Sequence, residues 1–411
     1  MTGFCGAIPA FEAFMQSTSD YFAGLRLLHA PGPTHVPKAV MDAMSEQPLD
    51  MADPRLTRLV EQCEQGLRSL LRSAKAEVFL YATNGHGAWE AVTVNLASPG
   101  QKVLIASTGH FSNSWAEMTQ AMGVDVVRTP YREGYPIDPA DIAAVLNADA
   151  GQEIVAVFVV HTDTASSITS DVPAIRQAID RAGHPALLVV DVVASLGAAY
   201  FDMDAWGVNV TMGASQKGLM CPPGVGFCAV DERAMEVARR STSHRYYWDW
   251  VRRHDAPVYK KFCGTAPQNH LMGLCKAFEL IQTEGYENVL ARHVRFSGAV
   301  HAAIERWASA GSLGFVCQVP QARSVSVTAI HTAPGIVPDE IRRVARETFN
   351  VSVAGGLGPF AGRAFRIGHL GDLSAPMIMG CLAAVEGAFK VLNIPIGDGA
   401  LSAALERLRQ D

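Results

Sequence analysis

Lys217 stands in a loop of small residues, Ser215-Gln216-Lys217-Gly218, with Pro222-Pro223-Gly224 just beyond it. A lysine in such a loop either reaches solvent or, in a desolvated pocket, loses its proton readily and becomes a Schiff-base nucleophile. Asp191 ends the apolar run Ala186-Leu187-Leu188-Val189-Val190. A carboxylate in that position is partly buried and needs a partner; a helix cap, a metal or a protonated pyridine nitrogen would each serve. Thr83-Asn84-Gly85-His86-Gly87 precedes a helical stretch. Its glycines permit close approach, and the helix start offers free N–H groups and the positive end of the dipole, which suits a phosphate as well as an ordinary tight turn. It is neither a Walker loop nor GxGxxG. Arg366 lies among apolar neighbours in Phe365-Arg366-Ile367-Gly368. Its partly buried fork suits a carboxylate, either of a ligand or of the protein.

These groups follow elements able to position them. Apolar, β-rich runs occur at 77–81, 102–106, 124–128, 154–160, 186–191, 209–212 and 224–230. Helical stretches at 88–97, 114–122, 139–146 and 172–182 lie between several of them. Continuous apolar strands alternating with helices predict a mostly parallel sheet covered on both faces, with ligands at the carboxyl ends of its strands. The three sequence-earlier groups, the glycine turn, Asp191 and Lys217, all fall after such strands. A long helical region follows from about 270 to 309, and then the pattern changes: strand 324–330, helix 339–349, strand 364–367, helix 375–391. The division expected is an N-terminal arm over 1–36, irregular or a short helix through residue 30, a large domain over 37–295 and a smaller α+β domain over 296–411. Ala30-Pro31-Gly32-Pro33-Thr34 reads as a rigid turn before a helix starting near Pro37.

In order along the chain come the glycine turn, HTDTASS from His161, VVDVVASLG from Val189, GASQKGLMCPPG from Gly213 and FRIGHLG from Phe365. Together they resemble the class V aminotransferases of fold type I, and most of all the alanine–glyoxylate and serine–glyoxylate family. The resemblance runs from about Pro31 to Ile394. It implies an α/β fold with a large, mostly parallel sheet sandwiched by helices and a smaller α+β domain. It also implies pyridoxal 5'-phosphate as cofactor, carried on Lys217, which afterwards moves a proton at the substrate carbon. Asp191 would keep the pyridine nitrogen protonated. Asn84, Gly85, His86 and Gln216 would meet the phosphate, and Thr265 would reach it from the other subunit of a homodimer. Thr164 would sit near the ring hydroxyl, with Phe111 on one face of the ring and Val193 on the other. Arg366, with Gly32, would bind the substrate carboxylate.

The chain departs from the family at three places. Asn84-Gly85-His86-Gly87 replaces Thr-Gly-Thr-Gly, His161-Thr162-Asp163-Thr164 replaces His-Asn-Glu-Thr, and Phe262-Cys263-Gly264 precedes Thr265 where a tyrosine is usual. The cofactor frame survives these changes, while the amino donor is left open among serine, alanine and aspartate. A dicarboxylate would need a second cation, for which Arg245, His35 and Lys261 are candidates. The aromatic stretch Tyr246-Tyr247-Trp248-Asp249-Trp250 fits a subunit interface, a pocket mouth or a core turn equally.

Composition bounds the alternatives. The chain has 411 residues, 49% of them hydrophobic, and a net charge of -6. That supports a large core in about two or three domains and offers no basic surface for nucleic acid or anionic membrane. No apolar run reaches the roughly 20 residues of a membrane span. The eight cysteines are scattered without a CxxC pair; no metal site is expected, and a reduced, cytoplasmic setting is. Two other readings keep the cofactor: a lyase or desulfurase using Cys221 or Cys228, and a non-catalytic regulator. The rigid proline-rich setting weighs against the first, and the lack of a basic helix-turn-helix segment against the second.

Overall fold

The computed structural model describes residues 24–409. The strands in chain order are β1 (Leu27–His29), β2 (Glu77–Thr83), β3 (Lys102–Ile105), β4 (Asp125–Arg128), β5 (Ile154–Val160), β6 (Thr162–Asp163), β7 (Ile168–Thr169), β8 (Leu187–Asp191), β9 (Val210–Ala214), β10 (Gly224–Val230), β11 (Leu313–Phe315), β12 (Val327–Thr332), β13 (Val351–Gly355) and β14 (Ala364–Gly368). Seven of them form a sheet ordered β2-β10-β9-β8-β5-β3-β4, in which β10 alone runs against its neighbours. Each expected large-domain strand is present within a few residues of its expected bounds.

Alternation explains why this sheet is buried on both sides. Val157 and Val159 of β5, with Leu188 and Val190 of β8, face one core. Phe158, Leu187 and Val189 face the other. The first core is closed by the helices Pro54–Leu71, Val172–Arg181 and Gln268–Glu284. The second is closed by α1 (Gly85–Leu96) and α2 (His110–Ala121), through Trp89 and Trp115.

The second sheet is ordered β1-β13-β14-β12-β11 and is antiparallel except where β1 lies parallel to β13. Here the structure departs from the sequence reading, because residues 27–29 are a paired strand where an irregular arm or short helix was expected. Residues 1–23 of that arm lie outside the described residues. Three residues give too short an apolar pattern to announce a strand; β1 is fixed by its partner, Leu27 facing Val351 and His29 facing Val353. A helix α3 (Tyr286–Ala308) follows Gln268–Glu284 after a break at Gly285. Val289 of α3 packs in the first core and Phe296 through Trp307 in a third cluster beneath the second sheet.

The hairpin β6–β7 joins the two bodies. Ile168 bridges to Arg323, and Ser167 accepts from Ser324 N–H at 2.9 Å through its carbonyl and from Ala329 N–H at 3.1 Å through its hydroxyl. Among the described residues no helix is long and apolar enough to cross a membrane.

Candidate active site

The turn after β9 is held by its own backbone and by the segment before the first helix. Ser215 Oγ donates to Pro222 O at 2.6 Å, and Met220 N–H to Lys217 O at 3.0 Å. From the other side Thr34 N–H donates to Gln216 O at 3.3 Å and Thr34 Oγ1 to Lys217 O at 3.0 Å. The lysine amine therefore leaves a fixed base, and its Nζ donates to Pro31 O. Gly32 covers the chain of Lys217 so closely that a Cβ would overlap Lys217 Cδ, and its φ of 127° already excludes other residues. Burial lowers the Lys217 amine to about 8; the Arg366 charge pushes the same way and Asp191 opposes it.

Asp191 ends β8, next to β9 in the sheet. It is 4% exposed. Its Oδ1 accepts from Val193 N–H at 2.7 Å and its Oδ2 from Trp89 Nε1–H at 2.7 Å. Burial raises the carboxyl to about 6, against the pull of those two donors and of Lys217. Lys217 and Asp191 line one cavity of about 260 Å³.

Most of the other expected residues meet in that cavity. Gly32, Asn84, Gly85 and His86 line it, as do Phe111, Thr164, Val193 and Gln216. Asn84 caps α1, its Oδ1 accepting from His86 N–H at 3.0 Å and Gly87 N–H at 3.3 Å. That cap already uses the His86 amide expected to face a phosphate. Val193 packs against Gly85, whose Cβ would lie 3.1 Å from Val193 Cγ2. Gln216 Oε1 is buried without a hydrogen-bond partner.

Two expected residues are placed apart. Arg366, on β14, is 6% exposed and does not line the cavity; its Nε donates to Gly355 O at 2.6 Å and its Nη1 to Thr164 O at 3.0 Å. Its guanidinium is lowered to about 10, chiefly by burial. The Thr164 carbonyl thus ties it to the cavity wall, and no carboxylate among the described residues is paired to it. Thr265 is exposed in the loop between the helices Val258–Lys261 and Gln268–Glu284, outside the cavity.

The candidate second cations are engaged elsewhere or lie outside the cavity. Lys261 pairs with Glu64 at 2.5 Å. Arg245 donates to the carbonyls of Ala238 and Ser241, at 2.7 and 3.0 Å. His35 lies 3.9 Å from Asp372. His161 is core, its Nδ1 2.8 Å from Ser195 Oγ and its ring lowered to about 4 by burial. Cys221 and Cys228 are both buried, the former pushed up to about 12 and the latter higher still, so neither offers the mobile thiolate that a sulfur carrier requires. In the aromatic stretch Trp250 stacks on Phe79 at 5.8 Å in the core while Tyr246 is exposed.

Sequence reasoning missed Trp89, Pro33, Thr162 and Pro223 as wall residues. Trp89 lies in the second turn of the helix that the glycine turn opens, a position that by itself reads as core.

The comparisons agree with this arrangement. A family model described as aminotransferase class-V matches residues 26–358. An L-aspartate–glyoxylate aminotransferase of Paracoccus denitrificans is 38% identical over 383 residues, covering 92% of this chain and 95% of that protein. A serine–glyoxylate aminotransferase of Methylorubrum extorquens is 36% identical and covers 94% of this chain and 97% of that protein. The crystal structure of a ureidoglycine–glyoxylate aminotransferase from Bacillus subtilis superposes with a TM-score of 0.85 at 26% identity, over 95% of this chain and all of that one, 100%. With the match running through both sheets and every strand that ends at the cavity, the chain belongs to the class-V aminotransferases of fold type I and is an aminotransferase of the alanine–glyoxylate and serine–glyoxylate type.

Proposed function

We propose that this aminotransferase holds pyridoxal phosphate on Lys217 and moves the amino group of a small amino acid to a small 2-oxo acid such as glyoxylate or pyruvate. One observation carries the reading: a lysine amine of lowered basicity and a buried carboxylate face the same cavity from adjacent strand ends. The residues fit the cofactor. Val193 and Phe111 are wall residues able to flank a flat ring, Gly85 opens a helix toward a phosphate, and the partnerless Gln216 Oε1 is a buried polar atom left for a ligand donor. Bound there, the cofactor supplies an aldehyde that takes up and returns nitrogen and a ring that accepts electron density.

The chain's own residues do the rest. Lys217, its amine lowered to about 8, would take a proton from the substrate Cα and deliver it to the carbon that carried the cofactor's aldehyde, across the nitrogen that joins them. Asp191 would hold the ring nitrogen and supply the negative charge that keeps it protonated. Arg366 has its Nε and Nη1 on backbone carbonyls, which fixes the plane of the fork for a substrate carboxylate. Thr265, exposed and outside this subunit's cavity, would be free to reach the phosphate held by a second subunit, and the working unit would then be a homodimer.

Serine, alanine and aspartate all present a carboxylate to Arg366. The relatives named for aspartate and for serine are about equally similar, so the donor is decided by a screen. Amino acids are added singly to the cofactor-loaded protein, and loss of its visible absorption is followed. At least one of the three should bleach it, and glyoxylate should restore it. Lys217→Ala should lower turnover by at least about 10³-fold; borohydride reduction should fix the cofactor mass to the peptide containing Lys217. Normal turnover by the Ala variant would end the proposal.

A further inference from the structure

Trp89 was not among the residues that the sequence marked, yet it makes the only side-chain hydrogen bond recorded to Asp191 among the described residues. We propose that the Trp89 indole is a positioning residue that acts on the cofactor's ring nitrogen through Asp191. The inference rests on the proposed cofactor reading and goes beyond it.

The geometry is that of a fixed bracket. Trp89 is 2% exposed and lies on α1, in the turn after the Asn84 cap. Its ring stacks on Trp115 at 5.4 Å and 6°, and Trp115 stacks in turn on Phe158 of β5 at 4.6 Å. Phe111 meets its edge at 6.4 Å and His86 packs at 4.5 Å. The indole cannot turn without unstacking this column, so its N–H direction is set. That N–H meets Asp191 Oδ2 at 2.7 Å while the Val193 amide meets Oδ1 at 2.7 Å. A carboxylate has about four lone-pair sites. One donor on each oxygen locks its plane and leaves a further site toward the cavity that Asp191 lines.

The choice of donor matters as much as the distance. Arginine or lysine in this place would neutralise Asp191, and histidine would titrate near neutral pH. An indole N–H donates only and never ionises in water's range. It stabilises the anion against a burial that otherwise raises the carboxyl, and it leaves the whole negative charge for the ring nitrogen.

The test compares pyridoxal phosphate with its analogue bearing carbon in place of the ring nitrogen, in wild type and in Trp89→Phe. Dissociation constants are measured by equilibrium dialysis and the visible band is titrated with pH. Trp89→Phe should weaken pyridoxal phosphate roughly tenfold or more, since a hydrogen bond to a charged group is lost. It should leave the carbon analogue within about twofold, and it should shift the pH midpoint of the visible band for the nitrogen cofactor only. If Trp89→Phe fails to fold, the isosteric sulfur analogue of tryptophan placed at position 89, which lacks the N–H, replaces it. Equal weakening of both ligands would assign Trp89 to packing alone and overturn the proposal, as would no weakening of either. Failure of the wild type to bind pyridoxal phosphate in a Lys217-dependent way would instead overturn the underlying reading.

Discussion

Arg366 and His369 stand three residues apart, on β14 and just after it, and the two bodies they enter treat charge in opposite ways. Toward the cavity, burial is used to poise charged groups. Asp191 is given two donors, and Lys217 and Arg366 donate, among the described residues, to carbonyl acceptors. Beneath the second sheet, burial keeps imidazoles neutral. His369 Nδ1 faces Val325 O at 3.0 Å, and Thr328 Oγ1 lies 2.9 Å from its Nε2 and 3.2 Å from His301 Nε2. His293 faces Val289 O through Nδ1 at 2.7 Å and receives Gly371 N–H on Nε2 at 3.0 Å. His293 and His369 each have a partner on both ring nitrogens, and in His293 an added proton on Nε2 would meet the Gly371 N–H head-on. Burial accordingly lowers His29, His293 and His301 to about 4, and His369 further. The first region trades stability for chemistry; the second trades acid tolerance for a dry core.

The sharpest way to break this contrast is Asp191→Asn. Loss of the charge should cut kcat/KM by about 10²–10³-fold, while the urea-unfolding free energy of the cofactor-free protein changes by no more than about 2 kcal/mol. A collapse in stability with turnover retained would mean that the carboxylate is structural. Next is Arg366→Lys, which keeps the charge and loses the fork. It should lower kcat/KM for the amino donor about 10- to 100-fold, mostly through KM, in steady-state assays across donor concentration. The smallest effect belongs to the histidines. Unfolded imidazoles take protons near pH 6.5 and the folded ones near 4 or below, so the unfolded chain binds more protons in that window. Stability is full above about 6.5 and falls as the pH drops toward 4. Asp191 has the opposite sign, its raised pKa favouring the folded form in acid, but it is one group against several. His293→Gln should reduce the stability lost between pH 7 and pH 5 by about 1–2 kcal/mol and leave neutral-pH turnover unchanged. An unaltered acid loss would show that the imidazole is not the sensor.

The cavity-side polar groups were legible because chemistry forces them into recognisable company: a lysine among small residues, an aspartate after a run of β-branched and leucine residues, glycines before a helix. The parallel sheet was legible for the same reason, its strands being long and apolar throughout. The short second-sheet strands β1, β11 and β13 were not. At three to five residues their pattern is too brief, and each exists through its partner strand, near in sequence for β11 and far away for β1, whose Leu27 depends on Val351. Trp89 was hidden differently. A tryptophan on the inner face of a helix looks like core, and it is core; only its hydrogen-bond partner distinguishes it. The use of the His86 amide by the Asn84 cap was likewise a matter of one side-chain rotamer, which no spacing records.

The close passage of Pro31 and Gly32 over Lys217 has a mechanical side. His29 is paired in the second sheet, and three residues later Gly32 presses on the lysine chain, while a Cβ on Gly368, at the end of Arg366's own strand, would collide with Ala30. The linker is too short and too tightly gripped to absorb slack. In the proposed reading, a tilt of the smaller sheet would carry the cover over Lys217 along with the Arg366 guanidinium.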